Sequence, residues 1–316
     1  MQQIDADEFT EQQYARLLEM MDELRIQQKD TNYYRTHQDL FYRMDRCLNQ
    51  RQGYRHVTPE SQAANKSYLG DPWHHTLRYQ MHLKDQKQHV WHTGLVLDKD
   101  AGEAWQKRLP WADSFSLFAA YQSRTGIVRQ AIAGHYRLQL GSGLVLNQQF
   151  TLGKNVMGNE FLRQTPRLSP HASTSESGRM LGTALRLRLH PHLELLPFVS
   201  FQPIDGVVER DTLTSWATDG YHRTTSEERK RNSSWLINIG TRAQTMGEWW
   251  EVGVNVLYSR FEHNYCRPLR QYNQHYYRGQ ELAQGSVDYR LRYWGFQLRG
   301  EMAIDDRGGW AMIHGL

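Results

Sequence analysis

From about residue 37 to the end of the chain, apolar and polar side chains alternate with a period of two. A chain with that rhythm folds as strands whose two faces meet different surroundings. The clearest example is Trp250 to Phe261, where Val252, Val254, Val256 and Tyr258 share one face and Glu251, Gly253, Asn255 and Ser259 the other. Val287, Tyr289, Leu291 and Tyr293 oppose Asp288, Arg290 and Arg292. After a break at Gly295, Phe296, Leu298, Met302 and Ile304 oppose Gln297, Arg299 and Glu301. Leu185, Leu187 and Leu189 oppose Arg186 and Arg188; Trp235, Ile237 and Ile239 oppose Asn238 and Arg242. Ile132, Tyr136, Leu138 and Leu140 oppose His135, Arg137 and Gln139, and Leu77, Tyr79, Met81 and Leu83 oppose Arg78, Gln80 and His82.

A soluble sandwich alternates in this way with its apolar face inward, and a membrane barrel with its apolar face outward. Two features favour the barrel. Several runs reach the roughly 9–11 residues that a tilted strand needs to cross a bilayer, and aromatics gather near strand ends at Trp249, Trp250, Phe261, Tyr293 and Trp294. The links alternate in the same sense. Short ones fall at 84–87, 190–192 and 246–248, and long polar ones at 51–73, 153–179, 205–233 and 262–284. No stretch of about 18 apolar residues is present, so no membrane-crossing helix is expected.

Residues 8–30 contain neither glycine nor proline, and Tyr14, Leu17, Leu18, Met21 and Leu24 recur at helical spacing, which predicts one amphipathic helix. The opening residues are acidic and do not read as a secretory signal. With 38 basic and 34 acidic side chains, a net charge of +4 is too even for a nucleic-acid footprint. Aromatics at 12%, including 17 Tyr and 10 Trp, are abundant for a soluble enzyme. Two cysteines, Cys47 and Cys266, lie far apart and form no zinc spacing; whether they pair is left open by the sequence.

Four stretches resemble a family of Bacteroidetes envelope proteins named for an N-terminal helix-hairpin-helix domain related to a competence DNA-binding protein. The first is Arg51-Gln52-Gly53-Tyr54 followed by Tyr68-Leu69-Gly70-Asp71-Pro72. The second runs Gly94 to Glu103 and includes Asp98, Lys99, Asp100 and Gly102. The third runs Gly134 to Val145 with Tyr136, Arg137, Gly141 and Gly143, continuing to Phe150 and Leu152-Gly153-Lys154. The fourth is Thr218-Asp219-Gly220-Tyr221-His222-Arg223-Thr224. The resemblance spans about residues 37 to 305 and implies an outer-membrane barrel preceded by helix-hairpin-helix repeats. The glycine-hydrophobic-glycine hairpin of such repeats does not occur in residues 1–36, so DNA binding is not carried over. The chain also ends in a strand-like run at Ile313-His314-Gly315-Leu316, where family members continue, so a piece of a longer protein is expected.

No constellation outweighs its bland reading. Asp98 to Glu103 alternates carboxylates like a cation loop but lacks the later bidentate Glu, and reads as a turn after the strand Val90 to Leu97. Gly134 and Gly141-Ser142-Gly143 sit within strand periodicity with no following helix, so a bulge or bend is favoured over a phosphate cradle. His74, His75, His82, His89 and His92 form a rich patch without diagnostic metal spacing. Ser142 falls on the side of Leu138 and Leu140, and no Gly-x-Ser-x-Gly elbow exists. Arg186, Arg188, Arg242, Glu251, Asp288, Arg290, Arg292, Arg299 and Glu301 are the candidate lumen-facing residues, expected to pair with one another.

The expectation is therefore an all-β chain. Residues 1–36 are a helix and linker, and residues 37–316 an antiparallel up-and-down outer-membrane-type β-barrel, incomplete if the chain is truncated. Its role would be non-enzymatic: pore, secretion accessory or scaffold. No catalytic, cofactor or metal site is expected. The partner is the lipid bilayer of the outer membrane, with envelope proteins beyond it, and nucleic acid is not an expected partner. The outer-membrane location presupposes a signal peptide on the full-length protein. Two alternatives differ in class: a soluble or surface β-domain that binds glycan or peptide, and a DNA-uptake protein by family association.

Overall fold

The computed structural model describes residues 34–105, 112–148, 166–176 and 178–316. Among them the chain is all-β, with fourteen strands in one sheet. They are β1 (Arg35–Arg46), β2 (Trp73–Lys84), β3 (Val90–Lys99), β4 (Ser114–Gln122), β5 (Val128–Gln139), β6 (Arg167–Pro170) and β7 (Met180–His190). They continue with β8 (Leu193–Glu209), β9 (Thr212–Ala217), β10 (Ser234–Met246), β11 (Trp250–Tyr265), β12 (Gly279–Tyr293), β13 (Phe296–Asp305) and β14 (Trp310–Gly315). Two short helices, α1 (Pro59–Ala63) and α2 (Thr225–Lys230), lie in the links, each opened by a threonine capping box. The predicted helix over 8–30 falls outside the described residues.

Twelve strands form an antiparallel meander in the order β1-β2-β3-β4-β5-β7-β8-β10-β11-β12-β13-β14. β6 adds to β5, and β9 lies antiparallel to β8 and briefly parallel to β11. The even number of path strands puts the start of β1 and the finish of β14 at the same end of the sheet. That end carries the short links 85–89, 123–127, 191–192, 247–249 and 294–295, and the opposite end carries 47–72, 210–233, 266–278, the described parts of the links that follow β3 and β5, and the short turn 306–309. Trp294 and Gly295, both at positive φ, close the β12–β13 hairpin as a primed turn that matches strand twist.

Several strands reach further than the alternation suggested. β8 runs on to Glu209 and turns back as β9, β11 continues to Tyr265, and β12 begins at Gly279, so the links expected at 205–233 and 262–284 are partly strand. The sheet is curled enough for the turn after β5 to touch β13, where the Ser142 amide donates to Glu301 Oε2 at 2.6 Å. β1 and β14 are the edges of the pairing order, and both are exposed along almost their whole length.

The two faces differ as the alternation requires. On the convex face Ile239, Val254, Val256 and Val287 are exposed, at 51, 47, 50 and 47%. On the concave face Arg242, Asn255 and Glu301 are closed off, at 2, 0 and 0%. β5 departs from the expected orientation. Ile132, Tyr136, Leu138 and Leu140 face inward and pack with Met180, Leu196, Phe198 and Leu257 in an internal core. The cause is the segment after β5, which folds back onto the inner wall. Leu140 donates to the Leu146 carbonyl and Gln148 to the Leu138 carbonyl, and Val145 and Leu146 pack on the same core. An inward loop must cover its apolar side chains, and the inner face of β5 supplies the cover.

Candidate functional site

The residues singled out in the sequence divide between two places. The first is a platform at the long-link end of the sheet. Three of the four stretches meet there. The Gly70 amide donates to the Gly102 carbonyl at 2.9 Å, the Gly102 amide to the Asp71 carbonyl at 2.8 Å, and the Leu69 amide to the Arg223 carbonyl at 2.8 Å. Lys99, fully buried, reaches Asp71 Oδ1 at 3.2 Å and the Trp73 carbonyl at 3.0 Å. Arg223 stacks on Tyr221 at 3.9 Å and lies 5.7 Å from Tyr68. Asn65, just past α1, accepts from the Ser226 amide in α2 at 2.8 Å, joining the two helical links.

Gly70 shows why its position admits no side chain. A Cβ there would lie 1.7 Å from the Glu103 carbonyl oxygen, and backbone cannot yield like a flexible side-chain tip. Gly70→Ala is expected to cost about 1–3 kcal/mol through overpacking. The readout is protease cleavage of the 47–72 link, which should quicken in the variant while the sheet stays intact. Unchanged cleavage would show that this contact does not hold the platform.

At the centre of the platform stands His222. Its Nδ1 lies 2.6 Å from Asp113 Oδ2 and its Nε2 3.1 Å from Asp205 Oδ2, while its amide donates to Glu103 Oε1 at 2.9 Å. Arg231 closes the group on Asp113 at 2.8 Å. Burial alone would lower the imidazole pKa, but the hydrogen bonds to Asp113 and Asp205 outweigh it and raise it to about 10. Both ring nitrogens therefore carry protons, and His222 is an imidazolium clamped between two carboxylates. Burial, reinforced by the charge of Asp113, pushes Glu103 up to about 8.

Both shifts have the same sign for stability. A group whose folded pKa is raised contributes fully below its free value, and the contribution is lost as pH rises through the folded value. For Glu103 the loss runs from about 4.5 to about 8, and for His222 from about 6.5 to about 10. The platform should loosen toward alkaline pH, seen as faster amide exchange in 218–233 at pH 9.5 than at pH 6 after correction for intrinsic rates. Greater protection at pH 9.5 would contradict the clamp.

His74 repeats the arrangement on a smaller scale, with Nδ1 3.1 Å from Asp45 and Nε2 3.2 Å from Asp98. His74, Asp98 and Asp100 bring potential ligand atoms within 4.8 Å, as do Glu103, Asp113 and His222, and Glu176, Asp205 and His222. Each imidazole already spends its nitrogens on carboxylates, which is the geometry of an ion pair. The remaining histidines disperse: His82 stacks on His92 at 3.8 Å, His89 pairs with Asp85 at 2.9 Å, and His75 meets Tyr42 Oη at 2.9 Å.

The second place is the inner wall. Arg242 binds both oxygens of Asp288 and donates to Asn255 Oδ1 at 2.9 Å. Asn255 donates to Ser286 and Asp288, and Ser286 to Glu301 at 2.7 Å. Arg290 pairs with Glu251 at 3.2 Å and Arg188 with Glu194. Most partners sit on neighbouring strands; the bond from Ser142 to Glu301 joins strands far apart in the sheet. Arg186 and Arg299 belong to the same face, and Arg292 does too but is exposed beside the short turn. The described part of the third stretch, Gly134 to Val145, belongs here, while Phe150 and Leu152-Gly153-Lys154 lie outside the described residues. Tyr136 donates to the Val199 carbonyl at 3.0 Å, Arg137 pairs in register with Ser169 of β6, and Gly143 sits at positive φ in the inward turn. Gly141, with φ +51°, would place a Cβ 2.8 Å from the Glu301 carboxylate, so the turn lies directly on the charged wall.

Asp113, Asp205 and Arg231 were not singled out by the sequence, since no spacing ties them to His222. Among the described residues Cys47 and Cys266 are both free thiols. No protein-family model, curated protein or solved structure matches this chain.

Proposed function

We propose that this chain is a non-enzymatic outer-membrane β-barrel protein of the cell envelope, a scaffold whose long links form a rigid platform on one side of the membrane. The observation that carries the reading is inverted burial: valine and isoleucine face outward, while arginine, asparagine and glutamate are closed off within. A water-soluble β-domain buries its apolar rows instead. The short-link rim adds exposed aromatics at Trp91, Trp249, Tyr293, Trp294 and Phe296, the arrangement of an interfacial girdle. The resemblance to Bacteroidetes helix-hairpin-helix envelope proteins agrees with this assignment.

The inward turn at 140–147 and the Arg242–Asp288 network favour a scaffold or secretion accessory over an open pore. The two edge strands need partners in lipid, because unpaired backbone groups there cost several kcal/mol each. Direct pairing of β1 with β14, or an even number of added strands, preserves the antiparallel order. The test is expression behind an envelope-targeting leader, followed by membrane fractionation and single-channel recording in planar bilayers. Retention in the outer membrane with no steady conductance is the expected result. Recovery in the aqueous fraction would overturn the membrane assignment, and a steady channel would overturn the scaffold.

A further inference from the structure

A cavity of about 350 Å³ opens where the convex apolar face meets the platform. Its lining changes chemistry from one wall to the other. One wall is Phe115 and Leu181, outward-facing at the long-link ends of β4 and β7, with Phe201 midway along β8 opposite Leu181. Phe115 and Phe201 are also exposed on the convex face, so the cavity continues the surface assigned to lipid. The other wall is charged. Asp113, Asp205, His222 and Arg231 form it in part, but these groups satisfy one another in the clamp described above.

Arg179 and Glu176 border that clamp, with a Glu176 carboxylate oxygen within 4.8 Å of the Asp205 and His222 ligand atoms. Arg179 anchors itself through Nη1 to Ser114 Oγ and the Phe115 carbonyl, each at 3.0 Å, and its guanidinium lines the cavity. Glu176 lies over Gly220, where a Cβ would meet its Oε2 at 2.1 Å, and lines the same space. One fixed cation and one fixed anion therefore share a cavity bordered by an apolar, outward-facing wall.

We propose that this cavity binds the headgroup of a zwitterionic phospholipid, its phosphate on Arg179, its ammonium on Glu176, and an acyl chain against Phe115, Leu181 and Phe201. The proposal rests on the reading of the convex face as lipid-facing. Arginine matches a phosphate through paired N–H donors, and the mixed charge of the cavity selects against a purely anionic head. Burial pushes Glu176 up to about 7, so binding is best measured at pH 8, where the carboxylate is ionised.

The experiment titrates the detergent-solubilised full chain with phosphatidylethanolamine, phosphatidylglycerol or free phosphoethanolamine, with native mass spectrometry reporting bound molecules. Phosphatidylethanolamine should bind about tenfold more tightly than phosphatidylglycerol, the size of one charge-assisted contact. Glu176→Gln should erase that preference while retaining binding, and Arg179→Gln should weaken both lipids. Equal affinity for the two lipids, or a preference that survives Glu176→Gln, would overturn the proposal. Free phosphoethanolamine binding as tightly as the lipid would also overturn it, in favour of a solute site. Unboiled gel mobility of each variant reports folding; if Glu176→Gln fails that control, the preference of the unaltered chain alone decides. A chain that never enters membranes would sink the functional reading, whereas a membrane-inserted chain without lipid preference would sink only this inference.

Discussion

Asp288→Ala is expected to destabilise the sheet by about 3–5 kcal/mol, because removing one partner of a buried ion pair strands the other. Arg242 is only 2% exposed, and Asp288 takes two of its guanidinium contacts. Asn255 would lose an acceptor in the same step. Denaturant unfolding in detergent, followed by unboiled gel mobility, reads the loss directly. The double variant Arg242→Met with Asp288→Leu should recover most of it, since well-packed apolar replacements of buried pairs are often neutral or better. That recovery would mark the pair as structural. A double variant as unstable as the single one would show that the polar wall has a further purpose, such as holding the turn at 140–147.

The second large effect separates a membrane protein from a water-soluble one. Val256 lies midway along β11 on the convex face and is 50% exposed. On a water-facing surface Val256→Arg would change stability by no more than about 0.5 kcal/mol in either direction. At the lipid midplane the same change costs about 2–4 kcal/mol. Folding into detergent or thin-bilayer vesicles should therefore be impaired by Val256→Arg. Arg260, exposed four residues further along the same strand, shows that the outer row tolerates a cation there. Tyr258→Arg, next to Arg260 on the outer row, should cost less than Val256→Arg. A flat profile along the strand would contradict lipid contact.

The alternation exposed the fold where the two faces differ in polarity. β11, β12 and β13 were legible because Val, Tyr and Met oppose Asn, Asp, Arg and Glu, and all nine candidate inner-wall residues lie on the concave face. β4 was not legible, because Ser114, Ser116, Phe118 and Ala120 inside face Phe115, Leu117, Ala119 and Tyr121 outside, with little contrast in polarity. β8 carries Pro197 and Pro203 and apolar residues on both faces, which broke the period. β5 kept its rhythm but pointed the other way, because the segment that follows it folds inward and a distant contact sets its orientation. The platform was half legible. Motif order brought Gly70, Gly102, Glu103 and His222 to notice, but Asp113 and Asp205 meet only because the link between β9 and β10 sets His222 between them. The separation of a buried cluster along the chain carries no local signature.

Whether the convex face meets lipid is read by cysteine accessibility. With Cys47 and Cys266 replaced by serine, Val256→Cys and Ile239→Cys are probed in intact membranes with a water-soluble maleimide, alongside an exposed platform position such as Asn65→Cys. Rapid labelling is expected at 65, with protection at 239 and 256 that a membrane-permeant maleimide overcomes. Equal labelling at all three positions by the water-soluble reagent, with the chain recovered without detergent, would contradict lipid contact.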